Sequence, residues 1–175
     1  YTRSRSHFNN SEMEATGLPS PEELAILEPL RDRMPADVFT TEYQSPKNDT
    51  PQNRRKNLRA AAKLLDDAGW KVTQDGSNSV LKNARGEAFA VEFVLDSPQM
   101  ERIALPYKEQ LELLGITVTI KSIDSAQYER QTQTFDYDII VNVWGQSLSP
   151  GNEQREFWGS AAADRNGSRN LAGIK

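Results

Sequence analysis

Asp136 and Asp138 stand two residues apart, and on an extended strand that spacing puts both carboxylates on one face, where they could hold a hard cation or act as an acid and base pair. No further oxygen ligands accompany them, and the rest of the reactive repertoire is sparse. The chain has no cysteine, which removes disulfides, thiolate-ligated zinc, iron–sulfur clusters and thiol nucleophiles together. Its one histidine, His7, lies in the polar run Ser4-Arg5-Ser6-His7-Phe8-Asn9-Asn10 and reads as a surface residue, so a multi-histidine metal site is excluded. None of the ten glycines builds a phosphate-cradling G-x-G-x-x-G or G-x-x-x-x-G-K-[ST] loop. What remains is the stretch Trp144-Gly145-Gln146-Ser147-Leu148-Ser149-Pro150-Gly151-Asn152, an aromatic residue followed by small and hydrogen-bonding ones, the mixture from which ligand pockets are lined.

That stretch follows a regular alternation of elements. Ser20 reads as an N-cap with Pro21 at the first helical position, and Leu24, Leu27 and Leu30 follow at helical spacing until Pro29 ends or kinks the helix. Glu22, Glu23 and Glu28 there support the macrodipole. From about Asn53 to Trp70, Leu58, Ala61, Ala62, Leu65 and Ala68 mark a helix with one buried face, closed by Gly69 in a left-handed turn with Trp70 against Leu65. Val80 to Lys82 and Phe89 to Leu95 read as two strands of a hairpin around Asn83-Ala84-Arg85-Gly86, with Phe89, Val91, Phe93 and Leu95 pointing one way. A helix over 98–114, bent at Pro106, ends in Gly115-Ile116 and leads into a strand at Ile116, Val118 and Ile120. Asp124 and Gln127 open a helix to about Gln133, and a third strand spans Tyr137 to Trp144.

Strand, helix, strand, helix, strand with short connections predicts an α/β fold whose sheet is mixed but mostly parallel, flanked by helices. Ligands gather beyond the carboxyl ends of such strands, which directs attention to the loop after Trp144. The division expected is an irregular, proline-rich 1–56 with one short helix, packed on the lobe; an α/β lobe over 57–160; and a flexible polar tail over 161–175. An opening Tyr1 and an uncapped last stretch read as a piece of a longer chain. With 21 basic and 25 acidic residues, net charge −4 and no long block of either sign, there is no electrostatic footprint for nucleic acid. Apolar runs such as Ile139-Ile140-Val141 fall far below the roughly 20 residues that cross a bilayer.

Several segments, in their order and spacing, resemble the later part of extracellular solute-binding proteins of the oligopeptide-binding, family 5 type. They are Ser11-Glu12-Met13 with Ala15-Thr16-Gly17-Leu18-Pro19-Ser20-Pro21-Glu22-Glu23-Leu24, and Asn57-Leu58-Arg59 with Leu64-Leu65-Asp66-Asp67-Ala68-Gly69-Trp70. Leu114-Gly115-Ile116, Asp136-Tyr137-Asp138 and Trp144 continue the match. The branch it looks most like is associated with uptake of oligopeptides and modified peptides such as microcin C. The resemblance implies most of the C-terminal lobe of a type II periplasmic-binding-protein-like fold. It further implies a periplasmic location, a peptide or modified-peptide ligand, and ABC transporter permease subunits as partners. It implies no catalysis, cofactor or metal, and contact with the membrane only through that complex.

In peptide-binding members an aspartate commonly lies three residues after the strand-ending tryptophan and pairs with the peptide's free amino group. Here that position is Ser147. A hydroxyl cannot neutralise an ammonium, and a buried unpaired charge costs several kcal/mol. The expectation is therefore a ligand whose amino terminus is blocked, modified or read elsewhere, with Glu153 as the nearest local substitute. Trp144 would form an apolar wall, and Gln146, Ser147 and Asn152 would fix orientation by hydrogen bonds. The competing readings are a core role for Trp144 and an ordinary solvated loop for the other three. Arg155, Phe157 and Trp158, at helical spacing, read as packing against the absent lobe. Two other functions stay open at this point: a protein-interaction module without a small-molecule ligand, and a hydrolase built on Asp136 and Asp138.

Overall fold

The computed structural model describes residues 3–76, 78–147 and 149–175, so Tyr1 and the candidate-loop residue Leu148 lie outside the described residues. The chain divides into two compact units, Tyr1–Asn53 and Arg54–Lys175, with the boundary inside the first turns of a helix rather than after residue 56.

In the first unit, α1 (Pro21–Leu27) starts in a reciprocal cap: Glu23 N donates to Ser20 Oγ at 3.2 Å and Ser20 N donates to Glu23 Oε2 at 2.7 Å. The chain tightens into a 3-10 turn over Glu28–Arg33, because Pro29 has no N–H with which to continue the α-helical ladder. The short α2 (Asp37–Thr40) follows, and the Arg31 guanidinium lies 3.9 Å from the Phe39 ring centre. None of this unit's described residues is buried. Its order rests on caps and local pairs.

The helix α3 (Pro51–Asp67) leads into the second unit, with Leu58, Ala61 and Leu65 half-buried and Ala62 and Ala68 exposed, so the expected apolar stripe is only partly covered. It ends as predicted: Trp70 N donates to Leu65 O at 2.9 Å and Gly69 N to Asp66 O at 2.9 Å, the two bonds of a Schellman cap. Trp70 then stacks on Phe89, ring centres 4.5 Å apart.

The strands pair differently from the expected hairpin. β1 (Lys71–Asp75), unrecognised in the sequence, pairs antiparallel with β2 (Asn78–Lys82) as a separate two-stranded sheet. The segment before β3 (Ala90–Leu95) meets β2 at the antiparallel bridge Lys82↔Ala88, but β3 itself is the centre of a parallel sheet ordered β4-β3-β5. β4 is Thr117–Ser122, β5 is Ile139–Ile140, and α4 (Glu101–Glu112) and α5 (Ser125–Thr134) provide the two crossovers. A central strand is covered on both faces, so Phe93, Val94 and Leu95 are all buried and the alternation read from the sequence ends there. Leu81, Phe93, Leu95, Ala104, Ile116 and Val118 form the core.

Two further expectations are corrected. β5 is two residues long instead of running from Tyr137 to Trp144, because its ladder with β3 stops at Val94↔Ile140 and Val141 O is taken by the Tyr128 hydroxyl at 2.8 Å. The tail is tied down: beyond α6 (Glu153–Trp158) and α7 (Ser160–Ala163), Ser168 and Asn170 are buried and hydrogen-bonded, and Gly167 N donates to Gln133 O at 2.8 Å. Small polar residues look solvated in sequence, yet here each buried one finds a backbone partner.

Candidate functional site

In the order β4-β3-β5, the chain leaves β3 for a neighbour on one side and returns to pair on the other. The crevice that ligands favour in such sheets therefore opens between the carboxyl ends of β3 and β5. Beyond β3 come Asp96 and Ser97; beyond β5 comes the loop with Trp144. Along β5 itself runs an open groove of about 420 Å³ lined by Tyr137 to Asn142, Trp144 and Leu171, with no residue of β3 in its wall.

Three side chains aim the loop. Asp138 Oδ2 accepts from Glu92 N at 2.8 Å and extends the β3–β5 pairing by one step. The Tyr128 hydroxyl donates to Val141 O, and the Tyr137 hydroxyl donates to Leu171 O, each at 2.8 Å. Burial pushes both phenols above their ordinary pKa, so both remain donors at neutral pH; the charge of Asp96 adds to the effect at Tyr128. Asp138 thus has one carboxylate oxygen engaged with the backbone, and among the described residues no group of three or more acidic or histidine side chains could hold a metal ion. An amide oxygen can still accept that bond. Asp138→Asn is expected within about 0.5 kcal/mol of the parent, and Asp138→Ala to cost about 1 kcal/mol, by urea denaturation. Equal losses in both would show that the carboxylate's charge, not its accepting oxygen, matters.

Trp144 is half-buried. Its ring centre lies 5.4 Å from that of Trp158, tilted by 37°, and its Nε1 faces Arg169 O at 3.5 Å, a long hydrogen bond. Gln146 Oε1 accepts from Gln154 Nε2 at 2.5 Å, while Gln146 Nε2 is buried with no hydrogen-bond partner among the described residues. Ser147 Oγ lies 2.7 Å from Glu153 Oε1 and 2.6 Å from Ser149 O, so its single proton is shared between two acceptors. Gly151 N also donates to Glu153 Oε1, at 3.0 Å. Together the Ser147 hydroxyl, first, and the Gly151 N–H hold the Glu153 carboxyl below the usual glutamate range. A side chain at Gly151 would place its Cβ 3.2 Å from Glu153 Oε2, so glycine leaves that second oxygen uncrowded. Among the described residues no lysine or arginine pairs with Glu153.

The structure therefore brings Ser147 and Glu153 into contact and sets Gln146 against Gln154. Asn152 stands apart from both pairs: its side chain is exposed and its carbonyl starts α6 by accepting from Arg155 N at 3.1 Å. Phe157, read from the sequence as packing against the absent lobe, is 1% exposed and packs within this chain. Sequence reasoning missed Asp96, Tyr128 and Arg169. Asp96 follows a strand end as the loop does, but only the strand order identifies β3 as a wall of the crevice.

The profile of the bacterial extracellular solute-binding proteins, family 5 Middle, matches residues 30–166. A probable peptide-binding protein, YejA, of Agrobacterium fabrum is 46% identical over 175 residues, covering 100% of this chain and 28% of that protein. A peptidoglycan-binding protein, YepA, of the same organism is 37% identical, covering 99% of this chain and 28% of that one. The chain thus spans little more than a quarter of the length of these relatives. Among solved structures, the oligopeptide-binding protein AppA of Bacillus subtilis, in complex with a nonapeptide, superposes with a TM-score of 0.57 at 25% identity, over 67% of this chain and 23% of that one.

Proposed function

The chain belongs to the bacterial extracellular solute-binding proteins of family 5, and from that premise we propose that it forms part of the substrate-binding component of an ABC importer. That component holds an oligopeptide or modified peptide between two lobes in the periplasm and delivers it to the membrane permease. Peptide binding by the similar YejA and AppA supports the ligand class. The observation that carries the reading is the loop after β5, which holds a half-buried tryptophan and, bonded to its Ser147 and Gly151, the Glu153 carboxylate, which has no lysine or arginine partner among the described residues. Trp144 is the apolar wall, and Gln146, Ser147 and Asn152 supply polar contacts. Glu153 takes the charge-pairing role for which residue 147 has only a hydroxyl. Binding, not turnover, is the activity of this reading, in which Asp138 serves the fold by accepting from Glu92 N.

The test is titration calorimetry of the intact protein with a random nonapeptide pool, free or N-acetylated at the amino terminus. Glu153→Gln is expected to weaken binding of whichever pool carries the recognised cation by about tenfold or more, the size of a charge-assisted pair lost from a site. The sign of the pH effect follows from the lowered pKa. In the ligand-free protein the Glu153 carboxyl already titrates below the ordinary glutamate value of about 4.3, so affinity stays level from neutral pH down to that value and falls as pH drops through the lowered pKa of the free site. No binding of either pool, with no thermal stabilisation, would overturn the receptor reading.

A further inference from the structure

Three consecutive residues near the end of the chain each reach a different part of the candidate site. Arg169 O faces the Trp144 indole N–H, and its guanidinium carbon lies 4.6 Å from the Phe157 ring centre. Leu171 O receives the Tyr137 hydroxyl, two residues before β5. Between them, Asn170 is fully buried, and its side chain uses both donors and its acceptor: Nδ2 donates to Gly159 O at 3.1 Å and to Ile174 O at 2.8 Å, and Oδ1 accepts from Ile174 N at 3.0 Å. Gly159 is the joint between α6 and α7. Its backbone runs so close to α6 that an added Cβ would stand 2.4 Å from Arg155 O, so the joint has no room to shift on that side.

We infer that Asn170 is a positioning residue for the ligand wall. It bolts the 169–171 segment to the end of α6 and thereby sets the Trp144–Trp158 pair, one ring from the loop after β5 and the other from α6. The chain of contacts is continuous. Asn170 fixes Gly159, the residue after Trp158; Arg169 and Leu171, its neighbours, hold Trp144 and the entry to β5. Without the Nδ2 bond to Gly159 O, the segment keeps its backbone turn and the Arg169 stack on Phe157 but loses its hydrogen bond to the end of α6, and the tilt and 5.4 Å spacing of the two indoles are less firmly imposed. A buried asparagine with every polar atom matched is costly to replace, which suits a residue that sets geometry rather than one that fills space. The inference rests on the proposal that Trp144 walls the ligand site.

The test uses Asn170→Asp, which preserves shape and removes both donors, and Tyr137→Phe, a gentler change that removes one bond to the same segment and keeps the fold if the first variant does not fold. Two quantities are read in the intact protein: the Trp144 indole N–H resonance, and the apparent Kd for the nonapeptide pool. The expected result is a displaced Trp144 resonance in either variant, unchanged core methyl resonances of Leu81 and Leu95, and a Kd raised about tenfold in Asn170→Asp. A merely structural role would lower stability without moving the indole in folded protein. An unmoved resonance in both variants overturns the inference, as does an unchanged Kd in Asn170→Asp when Trp144→Ala weakens binding. If Trp144→Ala itself binds as tightly as the parent, the wall reading fails, and the inference falls with it.

Discussion

Phe157→Ala is expected to cost about 3–5 kcal/mol of stability, the usual range for removing a buried phenylalanine and leaving its cavity. The ring is 1% exposed, meets Trp158 edge-on with centres 6.1 Å apart, and carries the Arg169 guanidinium on its face. It is also the only buried residue of α6, a helix of six residues that has little hydrogen-bonded length with which to hold itself. Its loss therefore releases Glu153 and Trp158 together, so peptide affinity in the intact protein should fall along with the urea midpoint, at an unchanged slope. Val143→Ala, at a side chain 82% exposed in the same loop, is the control and should stay within about 0.5 kcal/mol. A Phe157→Ala loss no larger than the control's would mean that the packing around α6 does not support the site.

Gly115→Ala is expected to cost about 3–4 kcal/mol, against about 1–2 kcal/mol for Gly69→Ala, though both glycines close helices in the same cap. Gly69 has φ +88° and Gly115 φ +84°, so both substitutions carry the left-handed penalty. At Gly69 an added Cβ meets nothing within 4 Å. At Gly115 it would lie 3.0 Å from the backbone N of Leu81, the atom that donates to Gly115 O at 2.7 Å, and 3.4 Å from Ser79 O. Backbone cannot rotate away as a side chain can, so β2 must shift, and the hydrogen bond and the packing of the fully buried Leu81 weaken with it. Urea denaturation of the two variants decides the point; equal losses would show that β2 yields freely.

Both helix ends were legible because a Schellman cap is local chemistry: a glycine at the left-handed position and an apolar residue after it reaching back along its own helix. The Ser20 cap and the helix started by Asp124, whose Oδ1 accepts from Ala126 N and Gln127 N, were legible for the same reason. The expected hairpin formed only next to its turn: Gly86 N donates to Asn83 O at 2.9 Å, Asn83 N to Glu87 O at 3.0 Å and Phe89 N to Leu81 O at 2.8 Å, with Lys82 bridging Ala88 antiparallel. Beyond that the arms part, because Leu81 N turns to Gly115 O and β3 pairs with β4 and β5, partners that local spacing does not name. The candidate loop was found from the carboxyl-end rule, and its contact between Ser147 and Glu153 was anticipated only as a substitution in role.

Composition, charge and local spacing by themselves determined the α/β class, the helices α1, α3, α4 and α5 with the caps of α1, α3 and α5, and the exclusion of thiol, multi-histidine and phosphate-loop chemistry. These follow from interactions within a few residues, or from residue types simply absent. Tertiary structure alone decided the strand order that opens the crevice between β3 and β5, the diversion of Asp138 to the Glu92 backbone, and the burial of Phe157. It also decided the use of residues 169–171 to hold two tryptophans fourteen residues apart in sequence. Each of these joins groups far apart along the chain, and a sequence written in one dimension carries their chemistry but not their distance.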